Sequence, residues 1–393
     1  MNDLFYLSWQ YIRHHKNKLL ILIFAITLVI WLPIAIKSVV DQTAAQLLDR
    51  ANNTPLVIGA PGSPLELALG SLYFRTQTPA TLTFDELNNV EATGYASAIP
   101  LYYRFNAQGH PIVGTNPEYL KYRQLQFAKG RPVALLGEAV LGADVARKLN
   151  LTVGDFVVSS PENVFDISGV YPLKMTVVGI LKPAFSPDDQ AVFVDIKTSW
   201  VIQGLGHGHQ DLNNESAIGQ VLKKDGSNIV ANASVVQYNE ITPENIASFH
   251  FHGDYSQYPV SAIIPVARNK KSAALLIGHY REDRESVQIL RSERVIAELL
   301  DTVVTVRNYI FIGITAVGLA TCVIALLVFL LSLRLRHGER FTLARIGASQ
   351  WQIYLLMATE ISSVLLVSAC LSILLVLATQ RFGIQVLQQL ILT

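Results

Sequence analysis

Three apolar runs of membrane length constrain what this chain can become. They cover Leu19 to Ile36, Tyr309 to Leu333 and Ile353 to Ala378. At a helical rise of about 1.5 Å per residue, runs of this length can cross a hydrocarbon core of about 30 Å. Between the first and second lie about 270 mostly polar residues, so the expected layout is a folded segment held to a membrane by both its ends. The overall composition, 51% hydrophobic and 16% charged, averages apolar ends with an ordinary globular middle. A net charge of +1 favours neither nucleic acid nor an acidic partner.

Charge placement sets the expected sidedness. Arg13, Lys16 and Lys18, with His14 and His15 between them, precede the first run. Arg334, Arg336, Arg340 and Arg345 fill the connection between the second and third. By the positive-inside rule both segments are cytoplasmic, which puts the large middle outside. The first run has the basic flank of a cleaved signal peptide. Its full membrane length, its aromatic flank and the lack of a small-residue cleavage pattern at Pro33 to Lys37 favour an uncleaved anchor. Both cysteines, Cys322 and Cys370, fall inside expected spans, so the outer domain relies on its core and not on disulfides.

Before the first span, Phe5, Trp9 and Ile12 share a stripe of a short helix, either lying in the interface or extending the span. Beyond it, Asp41 to Arg50 continues the helix up to the breakers Asn52 to Pro55. Strand patterns follow at Leu56 to Gly59, Val133 to Leu136, Phe156 to Ser159, Met175 to Leu181, Ala191 to Asp195 and Val260 to Ala267. Pro265 argues for an edge position in the last of these. Helical spacing is read at Phe84, Leu87 and Val90, again from Glu138 to Leu149, and from Arg281 to Arg307 as one long helix entering the second span. Leu65 to Leu72 is a buried helix or an extended segment, and Gly204 to Asn214 is an exposed loop. The mixture predicts an α+β domain on a helical stalk.

The connection after Arg334 is too long and helical to be a turn. It reads as a short basic and apolar helix with a break at Gly347-Ala348 before Trp351 re-enters the bilayer, and such a helix suits docking of a soluble partner. Glu360, about two turns into the third span, is read as pairing with a loop arginine or snorkelling. The pairs His207 with His209 and His250 with His252 could each present two imidazoles on one face, with Asp211 or Asp254 as further ligands. Surface-loop histidines are the commoner case, and no metal site is assigned. Asp188-Asp189 follows Pro187 in a turn, where adjacent carboxylates seldom face each other, so no catalytic dyad is assigned either.

Several of these segments resemble one family. Glu339, eight residues before Gly347 of Ile346-Gly347-Ala348, is similar to the cytoplasmic signature of the FtsX-like, MacB-type ABC transporter permeases, which include lipoprotein exporters. Gly130-Arg131-Pro132, Gly137-Glu138, Gly142, Val145-Ala146, Leu149, Val153-Gly154-Asp155 and Val177 to Ile180 resemble the MacB-type core domain. Val57 to Ala60 with Gly62 to Leu65 resembles a branch of predicted permeases. The resemblance implies a bacterial inner-membrane permease subunit that pairs as a homodimer or heterodimer and binds a separate ABC ATPase. It also implies transmission of ATP-driven motion to a periplasmic domain for export or extraction, with a periplasmic adaptor or binding protein as a further partner. It implies no cofactor and no catalytic residue, and the chain has no G-x-x-x-x-G-K-[ST] phosphate loop. The residues it assigns to ATPase coupling are Glu339, Arg340, Phe341, Arg345, Gly347 and Ala348.

The expected organisation follows. A cytoplasmic amphipathic segment occupies 1–18, spans lie at 19–36, 309–333 and 353–378, and a coupling helix lies at 334–352. The periplasmic domain and stalk occupy 37–308, with a core at about 51–280, and the tail 379–393 lies outside. Family members usually have a fourth span. Here Val386, Leu387, Leu390 and Ile391 fit an amphipathic outer helix, leaving either a shortened relative or a premature end. Two rival functions remain at this stage: a transport-independent regulator of an envelope enzyme such as a cell-wall hydrolase, and a membrane-anchored metal-dependent enzyme.

Overall fold

The computed structural model describes residues 10, 13, 16–75, 80–160, 172–208, 221–225, 228–231, 239–282, 286–335, 338, 341–342, 345, 347 and 349–391. The chain divides into two compact units, Met1–Asp49 with Ala297–Thr393, and Arg50–Ile296. Phe5, Trp9 and Ile12 lie outside the described residues.

Among the described residues, three helices are long and apolar enough to cross a membrane, with candidate spans Leu19–Asn52, Ser292–Ile324 and Gln350–Gly383. They belong to the helices Lys16–Asn52, Ser292–Leu335 and Gln350–Ile391. Within the first unit, small and hydroxyl-bearing residues let the first helix approach the last. Ser372 Oγ donates to the carbonyl oxygens of Ser368 at 2.8 Å and Thr27 at 3.2 Å, and Trp31 Nε1 donates to Thr379 Oγ1 at 3.0 Å. A Cβ on Gly383 would lie 3.2 Å from Val39, and one on Gly318 would lie 3.2 Å from Val29. This is how helices pack where lipid removes the hydrophobic incentive: close backbones and hydroxyls that find carbonyl partners. The last helix continues to Ile391 with no break after Ala378, so residues 379–391 extend it and form no separate tail helix. No proline or turn pair interrupts that stretch.

The second unit is the α+β domain that the mixed patterns predict. An antiparallel sheet has the order Gln288–Arg291, Leu56–Gly59, Ala262–Ala267, Ala96–Leu101. A larger mixed sheet has the order Asn106–Ala107, His110–Thr115, Val192–Asp195, Glu138–Leu141, Lys174–Leu181, Phe127–Gly130, with Phe156–Val158 added on Lys174–Leu181. Val192–Asp195 runs parallel to His110–Thr115, as does Glu138–Leu141 to Lys174–Leu181; the other pairings in this sheet are antiparallel. Helix Pro64–Tyr73 forms where Ser63 accepts the Glu66 N–H and Pro64 sits in the first turn; it buries Leu67, Ala68 and Leu72. One core joins both sheets through Ile58, Ile263, Tyr102, Ile112, Leu141, Val177, Val192 and Trp200.

Four expectations are corrected here. Glu138–Leu141 is a strand and the helix that follows is Ala143–Lys148. All four strand residues are buried, so the apolar run lacks alternation and merges with the helical stripe after it. Val133 to Leu136 is a loop. The long helix starts at Ser292, because Val287 belongs to the approach and Leu290 to the strand Gln288–Arg291, paired with Leu56–Gly59. Pro265 lies in an interior strand; the ladder to Leu56–Gly59 is one registered pair, Ile58 with Ile263, which leaves room for a residue without an N–H.

Candidate functional site: the Arg50 junction and the coupling segment

Arg50, the first residue of the α+β unit, lies on the last turn of helix Lys16–Asn52. Nη1 and Nη2 donate to Asp188 Oδ2 and Oδ1 at 2.6 and 3.1 Å, Nε donates to the Leu72 carbonyl at 2.6 Å, and Tyr119 OH donates to Asp188 Oδ1 at 2.6 Å. The two charged side chains are 8% and 2% exposed. This planar fork on a carboxylate is the geometry in which arginine binds most strongly. Burial alone would raise the Asp188 carboxyl; the Arg50 charge and hydrogen bonds reverse this and hold it below the usual carboxylate range. Burial, reinforced by Asp188, pushes Tyr119 up to about 12, so it stays a hydrogen-bond donor.

The turn that presents Asp188 is itself built from sequence. Ser186 caps Pro187–Gln190 in a reciprocal arrangement with Asp189. Asp189 accepts from the backbone N–H groups of Ala184 and Ser186, so the two aspartates serve different partners and form no dyad. Gly142 makes the turn's position possible: a Cβ there would lie 2.4 Å from the carbonyl oxygens of both Asp188 and Asp189. Nearby, Tyr122 OH donates to the Asn53 carbonyl at 2.6 Å, and Ser292 N–H donates to the Pro55 carbonyl at 3.1 Å. Nothing in the chain's local pattern marked Arg50; a long-range arginine-carboxylate pair leaves no spacing to read.

The Gly130-Arg131-Pro132 and Gly137-Glu138 elements form a second closed loop. Glu138 accepts both terminal nitrogens of Arg131 and the N–H groups of Ala134 and Leu135 at 2.8 and 3.1 Å. Gly130 has φ +77°, and a Cβ on it would meet the Val178 carbonyl oxygen at 2.1 Å, so glycine is required on both counts. Replacing Glu138 with Ala is expected to cost about 0.5–1.5 kcal/mol, since the lost donors belong to the exposed residues Arg131, Ala134 and Leu135 and can turn to water. Hydrogen exchange of the full-length protein in detergent should show faster exchange at Ala134 and Leu135, while exchange at Leu141 changes only by the global loss.

In the coupling segment, Phe341, Arg345 and Gly347 are described, whereas Glu339, Arg340 and Ala348 lie outside the described residues. Arg345 stacks on Phe341, 4.4 Å from guanidinium carbon to ring centroid, and Phe341 is about half exposed. Gly347 has φ +97°. The last helix then starts with a capping pair: Gln352 N–H donates to Ser349 Oγ at 3.3 Å, and Ser349 N–H donates to Gln352 Oε1 at 2.9 Å. The Glu360 side chain, His209 and Asp211 lie outside the described residues. Among the described residues, one group could hold a metal ion, His207 with His250 and His252.

Comparison with known proteins fits this architecture. The family model described as MacB-like periplasmic core domain matches residues 19–234, more than half of the 393-residue chain. The crystal structure of the periplasmic region of MacB from Actinobacillus actinomycetemcomitans is similar at 10% identity and TM-score 0.34, covering 63% of this chain and 92% of that one. The extracellular domain of the noncanonic ABC-type transporter YknZ from Gram-positive bacteria is similar at 12% identity and TM-score 0.31, covering 60% of this chain and 99% of that one. Among curated proteins, none matches. The chain belongs to the MacB-like periplasmic core domain family, the domain family of MacB-type ABC transporter permeases.

Proposed function

We propose that this chain is the inner-membrane subunit of an ATP-driven ABC transporter, coupling a separate cytoplasmic ATPase to motion of its periplasmic α+β domain. In this reading the ATPase docks on residues 334–352 through Glu339, Arg340, Phe341, Arg345, Gly347 and Ala348. The helices Lys16–Asn52 and Ser292–Leu335 carry displacement to the domain, where substrate is exported or extracted. The observation that carries it is the family match over residues 19–234, which includes the first apolar helix and most of the domain. Within the α+β unit, the Arg50–Asp188 pair fixes the last turn of helix Lys16–Asn52, the helix end through which displacement would enter. Basic residues around the coupling segment and before the first span support a cytoplasmic position for both.

Sidedness is the first thing to test. A cysteine placed at Tyr255 should react in intact cells with a membrane-impermeant maleimide, and one placed at Trp351 should react only after the inner membrane is opened. The reverse pattern removes the ATPase-facing role of residues 334–352. With sidedness established, Phe341→Asp should abolish co-purification of the ATPase, and Tyr255→Asp should leave it intact. Retained co-purification in the Phe341 variant overturns the docking surface.

A further inference from the structure

Gly206–Gly208, inside the stretch Gly204 to Asn214 expected to be an exposed loop, instead pairs with Phe249–Phe251 as a short ribbon. The register pairs Gly206 with Phe251, His207 with His250 and Gly208 with Phe249. Side chains alternate across a strand, so one face carries the phenylalanines over the glycines and the other carries the histidines. The glycines are obligatory for this: a Cβ on Gly206 would lie 2.5 Å from the Phe251 ring, and one on Gly208 would lie 2.6 Å from the Phe249 ring. His252, two residues beyond His250, returns to the histidine face. Tyr258 holds both sides of the ribbon, donating to the carbonyls of His252 at 2.7 Å and Leu205 at 3.2 Å. It packs edge-on to the buried Trp200.

Three imidazoles converge as a result. Their ring centroids lie 4.8 to 4.9 Å apart, and a ligand atom from each lies within 4.8 Å of the other two. His252 Nε2 and His207 Nε2 are 3.3 Å apart. Two nitrogens bound tetrahedrally to one ion at about 2.0–2.1 Å are separated by about 3.4 Å, so this pair already has the spacing of two ligands on one metal. His250 Nδ1 is 3.0 Å from the Ser248 carbonyl oxygen, which can only accept. Nδ1 is therefore the nitrogen that carries the proton when the ring is neutral. A histidine that donates one ring N–H to a carbonyl and offers the other nitrogen has the outer-shell arrangement of metal-binding histidines.

We propose that His207, His250 and His252 form a three-nitrogen site for a borderline divalent transition-metal ion, zinc in the first instance. All-imidazole donors suit zinc, copper or nickel and not the oxygen-seeking magnesium or calcium. His250 and His252 are exposed and His207 is half-buried, so the ion sits at the surface with a fourth position open to water or an exogenous ligand. The site would clip the two strands together on their polar face, opposite the phenylalanine face. It stands apart from the ATPase-coupling reading and does not depend on it.

The test uses the full-length protein, purified in detergent without a polyhistidine tag and stripped with a chelator. Zinc chloride is titrated in competition with a chromophoric zinc chelator, and cobalt chloride is titrated separately. Expected are one zinc per chain, no displacement by millimolar magnesium, and visible d–d absorption from bound cobalt. His207→Asn and His250→Asn should each weaken zinc binding at least about tenfold, whereas His279→Asn, on a different helix, leaves it unchanged. Zinc bound as tightly by both ribbon variants as by the parent overturns the site, as does displacement by magnesium. If the variants do not fold, the parent protein alone decides: a cobalt complex without visible bands, or no zinc bound, removes the proposal.

Discussion

Replacing Asp188 with alanine is expected to destabilise the α+β unit by about 3–5 kcal/mol, because the change leaves the Arg50 guanidinium buried without its counter-charge. At about 1.4 kcal/mol per decade, that is a loss of roughly two to three and a half decades in hydrogen-exchange protection of the most protected amides, measured on the full-length protein in detergent. Two further variants separate the causes. Asp188→Asn keeps the shape and a weak acceptor but removes the charge, so it should fall between parent and alanine. The double change Arg50→Met with Asp188→Leu should recover most of the loss, since exchanging a buried pair for apolar groups is often neutral or better. Asp188→Ala costing under about 1 kcal/mol would mean that the pair does not anchor the helix end. The pH dependence follows from the depressed carboxyl. A group whose folded value lies below its unfolded value contributes fully above the unfolded value and loses the contribution as pH falls through the folded one. The parent should therefore keep the pair's contribution down to about pH 4, the unfolded aspartate range, and lose it progressively below. Over that acid window Asp188→Asn should lack this component of the slope.

How much of this was legible in the chain depends on how local each cause is. The three apolar helices were, because hydropathy over a membrane's width is local information. So were the strands Lys174–Leu181 and Val192–Asp195, whose β-branched runs are bounded by breakers. The family glycines were visible as a pattern, but their reasons were not: Gly142 is tied to carbonyls more than forty residues away, at Asp188 and Asp189. Glu138–Leu141 was misread because a strand buried on both faces shows no alternation. Gly206–Gly208 was hidden because glycine has poor strand propensity, and only the facing phenylalanines make it a good strand residue there. Arg50 and Asp188 are the extreme case, 138 positions apart and joined by nothing but the fold.

Substituting Gly347 with valine is expected to uncouple ATP hydrolysis from transport while leaving the protein in the membrane. The glycine's φ of +97° lies where a β-branched residue is strongly disfavoured, yet a Cβ there would meet no atom of the described residues within 4 Å. The variant is thus not excluded by crowding. Its cost is conformational, of order 1–3 kcal/mol, and is relieved by re-aiming the backbone between Arg345 and the Ser349–Gln352 cap. Because Ser349 and Gln352 cap the last helix independently, that helix should survive, and the displaced part should be the short stretch bearing Phe341 and Arg345. Gly347→Ala, with a smaller penalty, should give an intermediate effect, and Gly347→Asn, tolerated at positive φ, should stay near the parent. In proteoliposomes with the cognate ATPase, the valine variant should lose at least tenfold in substrate moved per ATP hydrolysed, a loss of about 1.4 kcal/mol in coupling. Parental ATP hydrolysis and parental transport in the valine variant would show that the conformation at Gly347 has no part in coupling. Equal loss in the asparagine variant would point instead to the missing side chain at that position as the requirement.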